Sequence, residues 1–116
     1  MPIPDAPAPI TIDDLDADRP VPAGFRVLDV REDDEWAAGH VPGAVHIPMG
    51  ELPARVEELP EEELIVVCRS GGRSARASAW LNSTGFDAYN LEGGLSAWQR
   101  AGLPLTTDGG REPTVL

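Results

Sequence analysis

The segment Val67-Cys68-Arg69-Ser70-Gly71-Gly72-Arg73-Ser74 places the chain's only cysteine directly after an apolar run, in a turn with two glycines and two arginines. This is an anion cradle in outline. Gly71 and Gly72 can turn successive backbone N–H groups inward as a nest, and a helix beginning after them would aim its positive end at the loop. Helix N-termini and nearby cations lower a thiol pKa from about 8.5 to between about 3.5 and 7.5, so a sulfur held there is expected to be a thiolate. The competing reading is an inert buried thiol, which is what most cysteines after apolar strands are. The neighbours favour the cradle, because a core cysteine has no need of a glycine-rich turn flanked by Arg69 and Arg73.

With one cysteine the chain can form neither an internal disulfide nor a paired-cysteine zinc site. His40 and His46 could be read as a metal pair or as a base for Cys68. Without clustered carboxylates or further cysteines, satisfied loop histidines are the expectation and no metal is assigned. Asp29 and Arg31 flank the end of an apolar run. They are expected to give structural support by an ion pair that ties loops together, rather than to touch substrate. Trp36, Trp80 and Trp98 sit in apolar patterns and are expected in the core, whereas the acidic run Glu57 to Glu63 reads as a solvated face.

The 116 residues carry 9 basic and 20 acidic side chains, a formal charge of −11, and every basic one is arginine. Arginine suits planar, bidentate recognition. Residues 64–86 contain no Asp or Glu but hold Arg69, Arg73 and Arg76, an electropositive island around Cys68 in an acidic chain. The overall charge has the wrong sign for nucleic acid or an anionic membrane surface. No apolar run is long enough to span a membrane. The start, MPIPDAPAPI, has neither the basic nor the apolar region of a secretory signal, so a cytoplasmic address is expected.

The elements that must position the loop alternate along the chain. Arg26 to Val30 reads as a strand, Arg31 to Ala38 as a helical turn ending at Gly39, and Gly43 to Ile47 as a strand stopped by Pro48. Leu52, Val56 and Leu59 have helical spacing within Glu51 to Leu59. Leu64 to Val67 is a strand buried on both faces, as in a parallel sheet. A helix follows from Ser74 to Ser83 or Thr84, with Ala77, Trp80 and Leu81 on one face and Gly85 as its cap. Asp87 to Leu91 reads as a strand and Gly94 to Ala101 as a last helix. The alternation predicts one α/β domain with a mainly parallel sheet. A proline-rich leader (1–9), a domain (10–105) and a C-terminal tail (106–116) complete the expected organisation.

The loop CRSGGRS resembles the active-site loop of rhodanese-like sulfurtransferases. Asp29-Val30-Arg31-Glu32, Glu35-Trp36 and the stretch Gly39 to Pro48 resemble the family's first signature, and Glu92-Gly93-Gly94 with Ala97-Trp98 and Gly102-Leu103-Pro104 its last. The resemblance spans about Ile10 to Pro104. It implies a single small α/β domain, with a mainly parallel five-stranded sheet flanked by helices, in which Cys68 is the catalytic nucleophile and carries sulfane sulfur as a persulfide. Arg69, Ser70, Gly71, Gly72 and Arg73 would bind the substrate. The Cys68 thiolate would attack the sulfane sulfur of thiosulfate or a related donor and expel sulfite, whose charge Arg69 and Arg73 offset. A thiophilic acceptor, cyanide or a low-molecular-weight thiol, would then remove the sulfur. No cofactor is required, because one polarizable sulfur serves as nucleophile and carrier.

Three other readings use the same loop. Cysteine phosphatases and arsenate reductases typically read Cys-x5-Arg, whereas this loop is Cys-x4-Arg with Ser74 where the longer loop needs its arginine. The shorter ring suits one sulfur atom and is cramped for a tetrahedral oxyanion. A non-catalytic binding module would be marked by loss of the cysteine. A protein-to-protein sulfur carrier, working in a sulfur relay, keeps the same chemistry.

Overall fold

The structure, a computed structural model, describes residues 7–116, so most of the expected leader lies outside the described residues. Four strands, β1 (Phe25–Asp29), β2 (Val45–His46), β3 (Glu63–Val67) and β4 (Ala88–Asn90), form one sheet in the order β2-β1-β3-β4. Every pairing is parallel. Each strand must therefore return through a crossover. The crossovers carry α1 (Asp33–Ala38), a pair of 3-10 turns and α2 (Gly72–Ser83), and α3 (Gly94–Arg100) follows β4.

Among the described residues the sheet has four strands, not five. At the outer edge of β4 the chain makes one parallel bridge, Ile10 to Leu91. Pro7 and Pro9 stand just before it, and a residue without an N–H cannot extend a ladder. The helix expected over Glu51 to Leu59 is instead two 3-10 turns, Met49–Ala54 and Val56–Glu58. Pro53 removes the N–H that an α-helix would need there, and Arg55 at φ −124° ends the first turn.

Alternation along β1 and β3 divides the core. Leu28, Leu64 and Val66 face Ala77 and Leu81 of α2, while Val27, Ile65 and Val67 face Leu95 and Trp98 of α3. All four residues Leu64 to Val67 are buried, as expected of a strand covered on both sides. Burying each such side chain is worth about 1.5–3 kcal/mol, so this strand is the strongest anchor for whatever follows it. Trp98 is buried with its indole N–H donating to Pro104 O at 2.9 Å. Trp80 is not core: it is 37% exposed. Ala77 and Leu81, four apart, share the buried stripe of α2, and position 80 lies on its edge, beside Met49, Leu52 and Pro53.

Residues 106–116 run back along α1. Thr106 and His40 exchange two backbone hydrogen bonds of 2.8 and 2.9 Å, and Thr114 N–H donates to Ala38 O at 2.9 Å. Among the described residues no helix is long and apolar enough to cross a membrane.

Candidate active site

Because every strand runs the same way, the chain leaves the sheet after Asp29, Val67 and Asn90 along one edge, where ligands of open α/β sheets bind. Val30 N–H still donates to Val67 O at 3.1 Å, so the ladder is closed up to Cys68. The next two carbonyls are taken from the other side: Leu95 and Ser96, at the start of α3, donate to Cys68 O and Arg69 O at 2.9 Å each. In a planar trans peptide the N–H points opposite its carbonyl. Fixing these two carbonyls toward α3 therefore turns the Arg69 and Ser70 N–H groups away from it, toward the sulfur side.

Two glycines permit that arrangement. Gly94 has φ +60°, and a Cβ there would lie 2.6 Å from both Cys68 O and Arg69 O. Gly71, at φ +105°, reverses the chain into α2 and packs against Gly93 N, which a Cβ would meet at 3.3 Å. Only residues without side chains let these turns touch.

Cys68 Sγ accepts hydrogen bonds from Gly71 N–H at 3.1 Å, Ser74 N–H at 3.4 Å and the Ser74 hydroxyl at 3.3 Å. The residue is 1% exposed, so its sulfur forms the floor of the cradle. Burial pushes the thiol up. The bonds from Ser74 Oγ and from the Ser74, Gly71 and Ser70 amides outweigh it and hold the thiol below its ordinary value. Ser74 Oγ also lies 2.6 Å from Asn90 Oδ1 at the end of β4.

The arginines divide into two kinds. Arg73, in the first turn of α2, donates from Nη1 and Nη2 to both oxygens of Glu35 on α1, at 2.8 and 2.9 Å. Glu35 also accepts from Glu32 N–H at 3.0 Å. The Arg73 hydrogen bond outweighs the burial of Glu35 and pulls its carboxyl from an ordinary 4.5 down to about 2. The charge of Arg73, expected to serve a substrate, is thus already shared with a carboxylate. Arg69 is exposed, with no carboxylate partner among the described residues. Ser70 and Gly72 are exposed beside it, and Gly71 is buried.

Asp29 and Arg31 make the expected ion pair, but in the interior. Both side chains have no exposed surface. Arg31 Nε donates to both Asp29 oxygens at 2.9 and 3.1 Å, and Nη2 donates to Asp29 Oδ2 and to Gly39 O at 2.7 Å each. One arginine thus joins the end of β1 to the end of α1. His40 Nδ1 donates to Trp36 O and His46 Nε2 to Arg31 O, each at 2.8 Å, and both imidazoles stack on Trp36, at centroid distances of 3.6 and 4.7 Å. They are satisfied loop histidines. Among the described residues no group of three or more His, Cys, Asp or Glu could hold a metal ion.

Three residues at the site escaped the sequence reading: Glu35, Ser74 as a donor to sulfur, and Asn90. The signal for Glu35 was present, since an acid-free island with three arginines needs a carboxylate from elsewhere, and Glu35 lies in the acidic turn after the neighbouring strand. Nothing local marked Asn90.

Residues 11–101 match the family model of the rhodanese-like domain. A sulfurtransferase of Allochromatium vinosum is 40% identical over 72% of this chain and 80% of its own length. Thiosulfate sulfurtransferase 16 of Arabidopsis thaliana is 38% identical over 71% of this chain and 80% of its own length. The crystal structure of a rhodanese-related protein from Thermoplasma volcanium, 30% identical, superposes with a TM-score of 0.76 over 87% of this chain and 99% of that one. With the family model covering most of the chain and the fold shared across these relatives, the chain belongs to the rhodanese-like domain family.

Proposed function

We propose that this chain is a sulfurtransferase that carries sulfane sulfur on Cys68 as a persulfide, taking it from thiosulfate or a related donor. The observation that carries the reading is the set of donors on Sγ: two backbone N–H groups and one hydroxyl, with no acceptor among the described residues, around a buried sulfur. Donors without acceptors favour an anion, and the thiolate is the nucleophile.

The Cys68 thiolate attacks the sulfane sulfur of thiosulfate end-on. A new S–S bond forms as the donor's S–S bond breaks; its electron pair leaves with sulfite, and the negative charge of the thiolate passes to the outer sulfur of the persulfide. The inward N–H groups of the loop receive that outer sulfur. Arg69 offsets the departing charge, and Arg73 braces the loop through Glu35. Cyanide or a low-molecular-weight thiol then attacks the outer sulfur and regenerates the thiolate. A reduced thiol is required at every turnover, which favours a reducing compartment such as the cytoplasm. The relatives named as sulfurtransferases support the reaction class.

Intact-protein mass spectrometry tests the reading. Incubation with thiosulfate adds the mass of one sulfur; cyanide or a reducing thiol removes it, and Cys68→Ser never gains it. If no sulfane donor, including a persulfidated protein, adds that mass to the wild type, the transfer reading falls and a binding module takes its place.

A further inference from the structure

Ser74 has one hydroxyl proton and two acceptors for it. Its Oγ stands 3.3 Å from Cys68 Sγ and 2.6 Å from Asn90 Oδ1, and the residue is fully buried, so no bulk water takes the proton instead. A neutral thiol is a weak acceptor and an amide oxygen a good one, so beside a protonated Cys68 the hydroxyl turns to Asn90. A thiolate competes for it, because a bond to an ionised acceptor is roughly twice as strong as a neutral one, and the proton is then shared between the sulfur and Asn90 Oδ1, the nearer of the two.

We propose that Asn90 is a positioning residue for the nucleophile: by competing for the Ser74 proton it keeps the Cys68 thiolate less fully hydrogen-bonded, and so more nucleophilic, than the cradle alone would make it. Its support is rigid. Asn90 is in register with Val66 of β3, its carbonyl accepts from Ile10 N–H at 2.9 Å, and Leu91 N–H donates to Val66 O at 3.0 Å. The competition is settled by rotation of one hydroxyl, with no movement of the loop.

Other charges near the sulfur are the same in wild type and in the Asn90 variants. From α2 the charged neighbour of the sulfur is Arg73, itself held by Glu35 of α1. Arg69 follows Cys68 in the loop and is exposed. The one titratable group of β4 is Tyr89, whose hydroxyl donates to Glu63 at the far end of β3, and α3 has Arg100 alone, in its last turn.

The proposal rests on the persulfide reading only in taking Cys68 as the nucleophile, and its test needs no sulfur donor. The pH dependence of iodoacetamide labelling is measured for wild type, Asn90→Ala and Asn90→Leu, the last preserving the side chain's bulk at a strand position. Losing the competing acceptor gives the hydroxyl to sulfur, and the labelling midpoint moves down by about half to one pH unit. Nucleophilicity falls with thiol pKa at a Brønsted slope of about 0.4–0.5, so the high-pH plateau rate drops about two- to threefold. Both changes vanish when Asn90→Leu is made in Ser74→Ala. A midpoint that stays put, or a shift that persists without the Ser74 hydroxyl, overturns the proposal. So does a rise, which would mean that the Asn90 amide nitrogen donates to Ser74. Failure of the wild type to gain sulfur from any donor would sink the transfer reading and leave this result standing.

Discussion

Arg31 and Arg73 each grip a carboxylate with two nitrogens, yet they differ in almost everything else. The Asp29–Arg31 pair is local in sequence and wholly buried, while the Glu35–Arg73 pair joins residues 38 apart and keeps 15% and 33% of its side-chain surfaces exposed. Burying two charges costs several kcal/mol in solvation, recovered only when geometry and extra hydrogen bonds are good. Arg31 meets that condition through Asp29 and Gly39 O, although its Nη1 has no partner among the described residues. Its return is placement: α1 is held against the end of β1. The outer pair uses that placement, since Glu35 rides on α1 and Arg73 opens the helix behind the sulfur. The inner pair builds the frame, and the outer pair couples it to the loop.

Breaking the inner pair should have the largest effect. Arg31→Ala leaves Asp29 charged and unpaired in the interior and should cost about 3–5 kcal/mol in chemical denaturation. Replacing both partners with apolar residues, Asp29→Leu with Arg31→Met, should cost much less, which separates the penalty of an orphaned charge from the worth of the pair. The next effect falls on Arg69, which unlike both has no carboxylate partner among the described residues. Arg69→Glu should lower kcat/KM for thiosulfate about tenfold, equivalent to about 1.4 kcal/mol, and lower it much less for an uncharged persulfide donor. Equal losses for both donors, without salt dependence, would make Arg69 a loop-shaping residue.

Glu35→Gln sharpens the contrast from the other side. It should cost about 1 kcal/mol or less, because the pair is partly solvated. It should also raise the ratio of kcat/KM for thiosulfate over an uncharged donor about threefold, since the charge of Arg73 is no longer offset. The acid dependence has a definite sign. The carboxyl of Glu35 is depressed from 4.5 to about 2 in the folded protein, so its stabilisation is complete above about pH 4.5 and is lost as the pH falls toward 2. The stability gap between wild type and Glu35→Gln should close over that interval in pH-dependent unfolding; a gap that widens toward acid would contradict the assignment. The smallest effect belongs to Arg55, which bonds Glu51 and Glu58 at 2.8–2.9 Å on the outer surface. Arg55→Ala should leave both the unfolding midpoint and sulfur transfer at wild-type values.

The course of these predictions follows what the sequence made legible. Leu64 to Val67 announced a doubly covered strand because burial on both faces demands an unbroken apolar run, and the cradle was legible because Gly71, Gly72 and Cys68 are contiguous. The Asp29–Arg31 pair was visible for the same reason, being two residues apart. Glu35 and Asn90 were not, since their roles depend on which strands become neighbours, and strand order is a property of the whole sheet. Helical spacing at Leu52, Val56 and Leu59 predicts a helix, but Pro53 lacks the N–H an α-helix needs there, and the segment forms 3-10 turns instead. The fifth strand came from resemblance alone, where prolines reduced it to one bridge.

The close approach of Gly94 to the carbonyls of Cys68 and Arg69 has a consequence for the order of events in folding. A purely parallel sheet offers no hairpin from which to start, and every strand pairing waits on the closure of a long loop. The sulfur's donors come from Gly71 of the loop and Ser74 in the first turn of α2, but the peptides around it are turned by α3, which follows the last strand. A chain whose α3 has not docked lacks the donors that fix the Cys68 and Arg69 carbonyls, so thiol reactivity is expected to serve as a clock for the completion of the fold.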